Sequence, residues 1–260
     1  MDADELLDIA VEASHLAGDL LLKRFRAPAE GVSAKSSPTD LVSDADRDAE
    51  ALLLDFVSSK RPTDGVLSEE GSGADSSSGL VCVIDPLDGT INFLYGLPVW
   101  AVSIAVRDDN GAVVGVVHNP SLGETFTATR GGGARRNGAP IRVSTRDDLS
   151  KALIGTGFAY DSRTRSQQAQ VAAGILPKVR DVRRAGSAAL DLASLASGRL
   201  DGFYEAPMEE WDRAAGVLLI EEAGGVVSEL SAPFGQSPGV IAANPVLHPM
   251  LSDLILKEGA

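Results

Sequence analysis

The chain has 260 residues, 44% of them apolar, and a formal net charge of −14. That length holds one large domain or two tightly joined lobes around a substantial core. The charge argues against a nucleic-acid partner, because neutralising a phosphate backbone needs clustered Lys and Arg. The basic pairs Arg135-Arg136 and Arg183-Arg184 are not interleaved with aromatics. No apolar run approaches the roughly 18 residues of a membrane span, so no membrane partner is expected. Met1-Asp2-Ala3-Asp4-Glu5 lacks the basic-then-apolar pattern of a signal peptide. The single Cys82 sits in an apolar run, reads as a structural thiol and allows no internal disulfide. A cytoplasmic protein is the expectation.

The first predicted element is an amphipathic helix from Asp4 to Arg26, since Leu6, Ala10, Ala13, Ala17, Leu20 and Leu21 recur at helical spacing. A polar loop follows and ends in Lys35-Ser36-Ser37-Pro38-Thr39-Asp40. Ser43 to Ser59 reads as a second helix. Ser43 and Asp46 resemble a capping box in which Asp replaces the usual Glu or Gln. Gly71 to Gly79, rich in Gly and Ser, reads as a mobile surface loop. Leu80-Val81-Cys82-Val83-Ile84 is a buried strand by its continuous apolar run. Asp85-Pro86-Leu87-Asp88-Gly89-Thr90 then stands at its end. Val99 to Val106 and Ala112 to His118 read as strands joined by an Asn110-Gly111 hairpin turn. Gly123 to Thr129 adds a third strand to this meander. Gly131-Gly132-Gly133 lacks the strand–helix context of a nucleotide loop and reads as a turn.

The second half alternates strand and helix. Ala152 to Gly155 predicts a strand, Arg165 to Leu176 a helix stopped by Pro177, and Asp181 to Arg184 a short strand. Ser187 to Ser197 predicts a helix with Gly198 as its C′ residue. Phe203-Tyr204 predicts a strand, Trp211 to Ala223 a helix, and Val226 to Leu230 and Val240 to Ala243 strands before a final helix. The break lies near Val143 to Ser150. We expect an N-terminal lobe over residues 1–145 and a C-terminal α/β lobe over residues 146–260, joined in a single compact catalytic unit.

The chemistry centres on Asp85 and Asp88. Two carboxylates at a buried strand end repel each other, which is costly without a cation. Hard oxygen ligands suit Mg²⁺. Gly89-Thr90 offers backbone N–H groups and a hydroxyl to an anion. Each acid also has an ordinary reading: a turn for Asp85 and Asp88, a solvated pair for Glu69-Glu70, and first-turn or capping roles for Asp212 and Asp46. Their combination at element ends favours a site. A Ser-His-Asp hydrolase is not the expected reading. His15, His118 and His248 read as surface or packing residues.

Asp85-Pro86-Leu87-Asp88-Gly89-Thr90-Ile91-Asn92-Phe93 resembles the first signature of the inositol monophosphatase family, a family of Mg-dependent, lithium-sensitive phosphomonoesterases. Trp211-Asp212-Arg213-Ala214-Ala215-Gly216, running on to Glu222-Ala223-Gly224-Gly225, resembles the second. Lys35 to Asp46 and Ser68-Glu69-Glu70 match further family segments, and the likeness extends from the first helix to Ile241-Ala242-Ala243-Asn244. The resemblance implies a layered αβαβα sandwich of the sugar-phosphatase type, in the α/β (α+β) class. Its larger sheet would be mainly antiparallel and a smaller second sheet would lie beside it. It implies that Glu69, Asp85 and the Leu87 carbonyl hold one Mg²⁺, that Asp85, Asp88 and Asp212 hold a second, and that Glu69 helps a third through water. Two to three ions per site follow. Thr90 and Asp46 would orient or activate the attacking water, Gly89 and Thr90 would bind phosphate, and Lys35 would lie near the acids. A homodimer is also implied.

Substrate choice would be set from the second lobe. Gly186-Ser187-Ala188 resembles the segment that touches the substrate ring, and Glu205 matches an acid that bonds its hydroxyls; Ser187 alone reads as a helix N-cap. Glu209 and Glu210 depart from the family pattern, as does Ser68 where Gly is common. They could repel a second phosphate or favour a cationic substrate. The expected partner is thus a small phosphorylated polyol or amino alcohol. The leading expectation is Mg-dependent hydrolysis of inositol 1-phosphate. The alternatives are histidinol phosphate, or a phosphatase fold with an added regulatory protein-binding role.

Overall fold

A computed structural model describes residues 2–27, 30–35, 41–71, 73–232 and 236–259. The end of the expected polar loop, residues 36–40, lies outside them. Helix α1 (Ala3–Arg24) is capped by Asp2, whose side chain accepts the Asp4 N–H. Asp4 and Glu5 in its first turn and Lys23 and Arg24 in its last match the helix dipole. Strands β1 (Ser33–Ala34) and β2 (Leu41–Val42) form a small antiparallel pair ahead of α2 (Asp44–Lys60). The stripes Leu6, Ala10, Ala13, Ala17, Leu21 and Ala45, Ala49, Leu53, Val57 are buried together against one sheet face.

That sheet is built from β3 (Gly65–Ser68), β4 (Gly73–Ala74), β5 (Val81–Asp88), β6 (Ala101–Asp108), β7 (Gly111–Asn119), β8 (Glu124–Thr129), β9 (Gly133–Arg136) and β10 (Ala139–Pro140). Its order is β10-β9-β8-β7-β6-β5-β3-β4. Every pairing is antiparallel except β3 with β5. The short helix α3 (Thr90–Leu94) leaves the end of β5.

The smaller sheet follows, with β11 (Leu153–Thr156), α4 (Ser162–Ile175), β12 (Asp181–Arg183), α5 (Ala188–Ala196), β13 (Gly202–Glu205), α6 (Glu210–Glu222), β14 (Val226–Leu230), β15 (Gly239–Ala243) and α7 (Leu247–Lys257). Its order is β12-β11-β13-β15-β14, with β12, β11 and β13 parallel and β15 antiparallel to both neighbours. Helices α5 and α6 pack between the sheets, and α7 covers the outer face of the smaller one beside α4. The result is the five-layer αβαβα sandwich. Its middle layer is visible in α5, where Ala189, Leu190, Leu192, Ala193, Leu195 and Ala196 are all buried. A helix apolar on nearly every side must be covered on both faces.

Three expectations need correction. The apolar strand does not stop at Ile84 but runs through Asp88 as β5. The Gly71 to Gly79 segment contains β4, which pairs with β3, and is tied down by Ser77 and Ser78 N–H bonds to the Thr63 carbonyl (2.9 and 3.1 Å). Strands β9 and β10 extend the meander past the glycine turn; four and two residues are too few for periodicity to reveal.

Leu192 is fully buried in the shared middle layer. Leu192→Ala is expected to cost roughly 2–5 kcal/mol. Urea titration should show a lower midpoint with an unchanged m-value.

Candidate functional site

The site grows from an irregularity in β5. Residues three apart on a regular strand face opposite ways. Here Asp85 pairs with Ser103 and Asp88 with Ala101, so β5 spends three steps where β6 spends two. The extra residue is a bulge, and it returns Asp88 to the face of Asp85. Pro86, which has no N–H to lose from the ladder, lies inside it. Gly89 then turns at φ 95°, where a Cβ would lie 2.9 Å from the Val99 carbonyl. Thr90 follows as the first residue of α3.

Other elements bring further acids to this point. Glu69 follows β3, the parallel neighbour of β5, and its N–H meets the Ile84 carbonyl at 3.3 Å. Lys35 donates to Glu69 Oε1 at 2.8 Å and to Glu70 Oε1 at 2.5 Å. Asp46 sits in the first turn of α2. One of its oxygens accepts the Ser43 N–H (2.9 Å) and hydroxyl (2.5 Å), and the other accepts the Thr90 hydroxyl at 2.8 Å. The Leu87 carbonyl lies 3.1 Å from that same hydroxyl. Asp212 occupies the first turn of α6 and accepts the Glu209 N–H at 2.8 Å.

Asp88 ties the end of β5 to the start of α5 in the middle layer. Its carboxylate accepts the Ser187 hydroxyl and the N–H groups of Ala188 (3.2 Å) and Ala189 (2.8 Å) at the start of α5. Ser187 is also the N-cap of that helix, within 3.3 Å of the Leu190 N–H. The capping reading and a site reading therefore coincide in one side chain, whose hydroxyl is spent on Asp88.

A cavity of about 500 Å³ collects these groups. Lys35, Glu69, Asp85, Leu87, Asp88, Gly89, Thr90, Ser187, Ala188, Glu205 and Asp212 all line it. Asp46 stands behind Thr90. Glu209 reaches the wall, where its carboxylate accepts the Ser237 hydroxyl at 2.8 Å. Glu210 does not line it; it pairs with Arg107 at 2.5 Å, so it cannot act on a substrate there. Phe158, Tyr160, Arg184, Asp191 and Gln236 line the cavity without having been singled out for it. Asp191 had a legible signal, since it lies one helical turn after Ser187.

Burial raises the pKa of Glu69, Asp85, Asp88 and Asp212, and neighbouring carboxylates raise those of Asp85 and Asp212 further. Around Asp88 the Ser187 and α5 donors offset part of this. Burial alone would lower the Lys35 pKa, but Glu69 and Glu70 outweigh it and the net shift is upward. Among the described residues no three acids or histidines yet converge as a closed ligand shell. The donor set is all oxygen and anionic, which suits a hard divalent cation that would relieve the repulsion.

Among the described residues the histidines and the cysteine stand apart from this chemistry. His15 and His118 meet over the Thr125 hydroxyl (3.0 and 2.9 Å), with burial lowering the His118 pKa to about 4. His248 lies by Ser228. The Cys82 thiol is buried and pushed up to about 12 by desolvation, hence inert. No helix among the described residues is long and apolar enough to cross a membrane.

Comparison with known proteins agrees on one family. The model of the inositol monophosphatase family matches residues 2–258. Inositol-1-monophosphatase SuhB of Mycobacterium tuberculosis H37Rv is 46% identical over 225 residues, 82% of this chain and 77% of that protein. Nus factor SuhB of Escherichia coli K12 is 40% identical over 257 residues, 96% of this chain and 95% of that protein. The crystal structure of extragenic suppressor protein suhB from Bartonella henselae superposes with a TM-score of 0.91 at 37% identity, covering 98% of this chain and 100% of that one.

Asp191 carries a pH signature. Burial, then the Asp88 charge, raise its pKa to about 8, against about 3.9 when unfolded. Between these values the folded chain holds a proton that the unfolded chain has released. The contribution is complete below about pH 4 and is lost as pH rises toward about 8. Thermal melts in chelator should show a falling Tm over that range, and a shallower fall in Asp191→Asn.

Proposed function

The chain belongs to the inositol monophosphatase family of phosphoric monoester hydrolases, and from that premise we propose that it hydrolyses inositol 1-phosphate to inositol and phosphate with Mg²⁺. One observation carries the reading. Acids at the ends of β3 and β5 and the start of α6 line one cavity together with polar groups at the start of α5 and in β13. Members of the family use metal ions. In this reading Glu69, Asp85 and the Leu87 carbonyl hold one ion, and Asp85, Asp88 and Asp212 hold a second. A third rests weakly near Glu69. When bound, the ions supply charge stabilisation for the phosphoryl oxygens and lower the pKa of the attacking water.

The chain's own residues do the rest. The Thr90 hydroxyl donates a hydrogen bond to Asp46, which leaves its oxygen lone pairs free to accept a hydrogen bond from a water in the cavity. Asp46 is fixed for this by the two Ser43 donors. The N–H groups of Gly89 and Thr90 open α3 toward the phosphate. Ala188 and Glu205 meet the alcohol, and Ser187 orients Asp88. Lys35 restrains Glu69 and Glu70. We read residues 1–145 and 146–260 as two lobes of this one catalytic unit, supported by the separate sheets that they contain. Lithium inhibition, a homodimer and a cytoplasmic setting complete the reading.

Phosphate release from inositol 1-phosphate should require Mg²⁺, and Asp88→Asn should lower kcat/KM on the order of 100-fold. If no small monoester released phosphate, and the variant behaved as the parent, the reading would fail.

The name of the Escherichia coli relative, a Nus factor, favours a second role beside catalysis: binding a protein of the transcription machinery. Capture of the same partner by the parent chain and by Asp88→Asn supports that role; loss of capture on Asp88→Asn would tie the two functions together instead.

A further inference from the structure

The Arg183-Arg184 pair splits in the fold. Arg183 turns outward and pairs with Asp181 at 2.5 Å. Arg184 turns into the cavity. Among the described residues the lining holds one other cation, Lys35, which is already engaged by Glu69 and Glu70. Among the described residues Arg184 has neither a hydrogen bond nor an ion pair. Its Nη1 lies over Gly186, 2.8 Å from where a Cβ would stand, and so beside Ser187. Three carboxyl groups face its charge from around the cavity: Asp88, Asp191 and Glu205. None is close enough to bond it.

Glu205 is the matching acceptor. Its carboxyl occupies the space that a side chain at position 157 would need, with Oε1 only 1.9 Å from an ideal Gly157 Cβ. It too makes no side-chain hydrogen bond among the described residues. The cavity therefore holds an unmet donor fork and an unmet acceptor across a gap. A hydroxyl both donates and accepts, so a pair of ring hydroxyls satisfies both sides at once. An ammonium only donates and would face the Arg184 charge. A second phosphate only accepts and would face the acids.

We infer that Arg184, working against Glu205, is a specificity residue that selects neutral polyhydroxylated alcohols over amino alcohols and bisphosphates. The inference rests on the phosphatase reading and narrows its substrate class. It also reassigns selectivity from Glu209 and Glu210 to Arg184.

The test compares kcat and KM of the full chain with Mg²⁺ for inositol 1-phosphate, histidinol phosphate and glycerol 2-phosphate. The parent, Arg184→Ala and Arg184→Glu are measured, with circular dichroism as the folding control. The parent should prefer inositol 1-phosphate. Arg184→Ala should raise its KM about tenfold, the loss of one charge-assisted contact, with a far smaller change in kcat. Glycerol 2-phosphate, too short to reach the gap, should change little, and Arg184→Glu should favour histidinol phosphate relative to the parent. Parent-like KM values in Arg184→Ala, or a parent that prefers histidinol phosphate, overturn the inference. Calorimetry with inositol 1-phosphate keeps the two readings separable. If the parent hydrolyses none of the esters, the phosphatase reading fails. Weaker binding by Arg184→Ala then still supports the contact, and equal binding rejects it.

Discussion

Mutual repulsion among four acids sets the terms for this structure. Glu69, Asp85, Asp88 and Asp212 line one cavity, where burial already disfavours their charge. Water cannot relieve them all, so the fold supplies donors one at a time. Lys35 serves Glu69, the Leu87 N–H serves Asp85, the α5 amides serve Asp88, and the Glu209 N–H serves Asp212. The donors to Glu69 and Asp88 come from distant segments that must be in register for the contact to exist, while those to Asp85 and Asp212 are local. The acids thus act as a test of correct assembly as well as a source of chemistry.

The sandwich explains why donors from distant segments can meet. The large sheet supplies Asp85 and Asp88 from one strand, because a bulge corrects their parity. The middle layer supplies two helix starts, α5 and α6, aimed at the same point. A helix start is a natural partner for a carboxylate, since its first N–H groups have no partner inside the helix. Burial of α5 between two sheets holds that start in place.

Much of this was legible in the chain. The α1 and α2 stripes, the α5 run of small apolar residues and the two acidic signatures all have a period or a spacing that survives folding. The extent of β5 was not legible, because Pro86 and the paired acids resemble a turn in one dimension. Only a neighbouring strand reveals a bulge. The role of Arg184 was hidden for a similar reason: adjacent residues on a strand end face opposite sides, and sequence alone does not say which side holds the cavity. Glu210 misled in the opposite direction. Its acidity suggested substrate contact, but its partner Arg107 lies over a hundred positions away on β6 and is invisible to local reading.

The Asp88–α5 contact also bears on how the protein is made. Chains emerge from synthesis N-terminus first. Glu69, Asp85 and Asp88 therefore leave the ribosome well before Ser187, Ala189 and Asp212 exist to complete their surroundings. For that interval the nascent lobe carries an acid cluster without its main donors, and its apolar face, which α5 and α6 will cover, is bare. A ribosome paused between β10 and α5 would thus expose the bare apolar face and the uncovered acids together. The final third of the sequence closes the core and the acid site in one event.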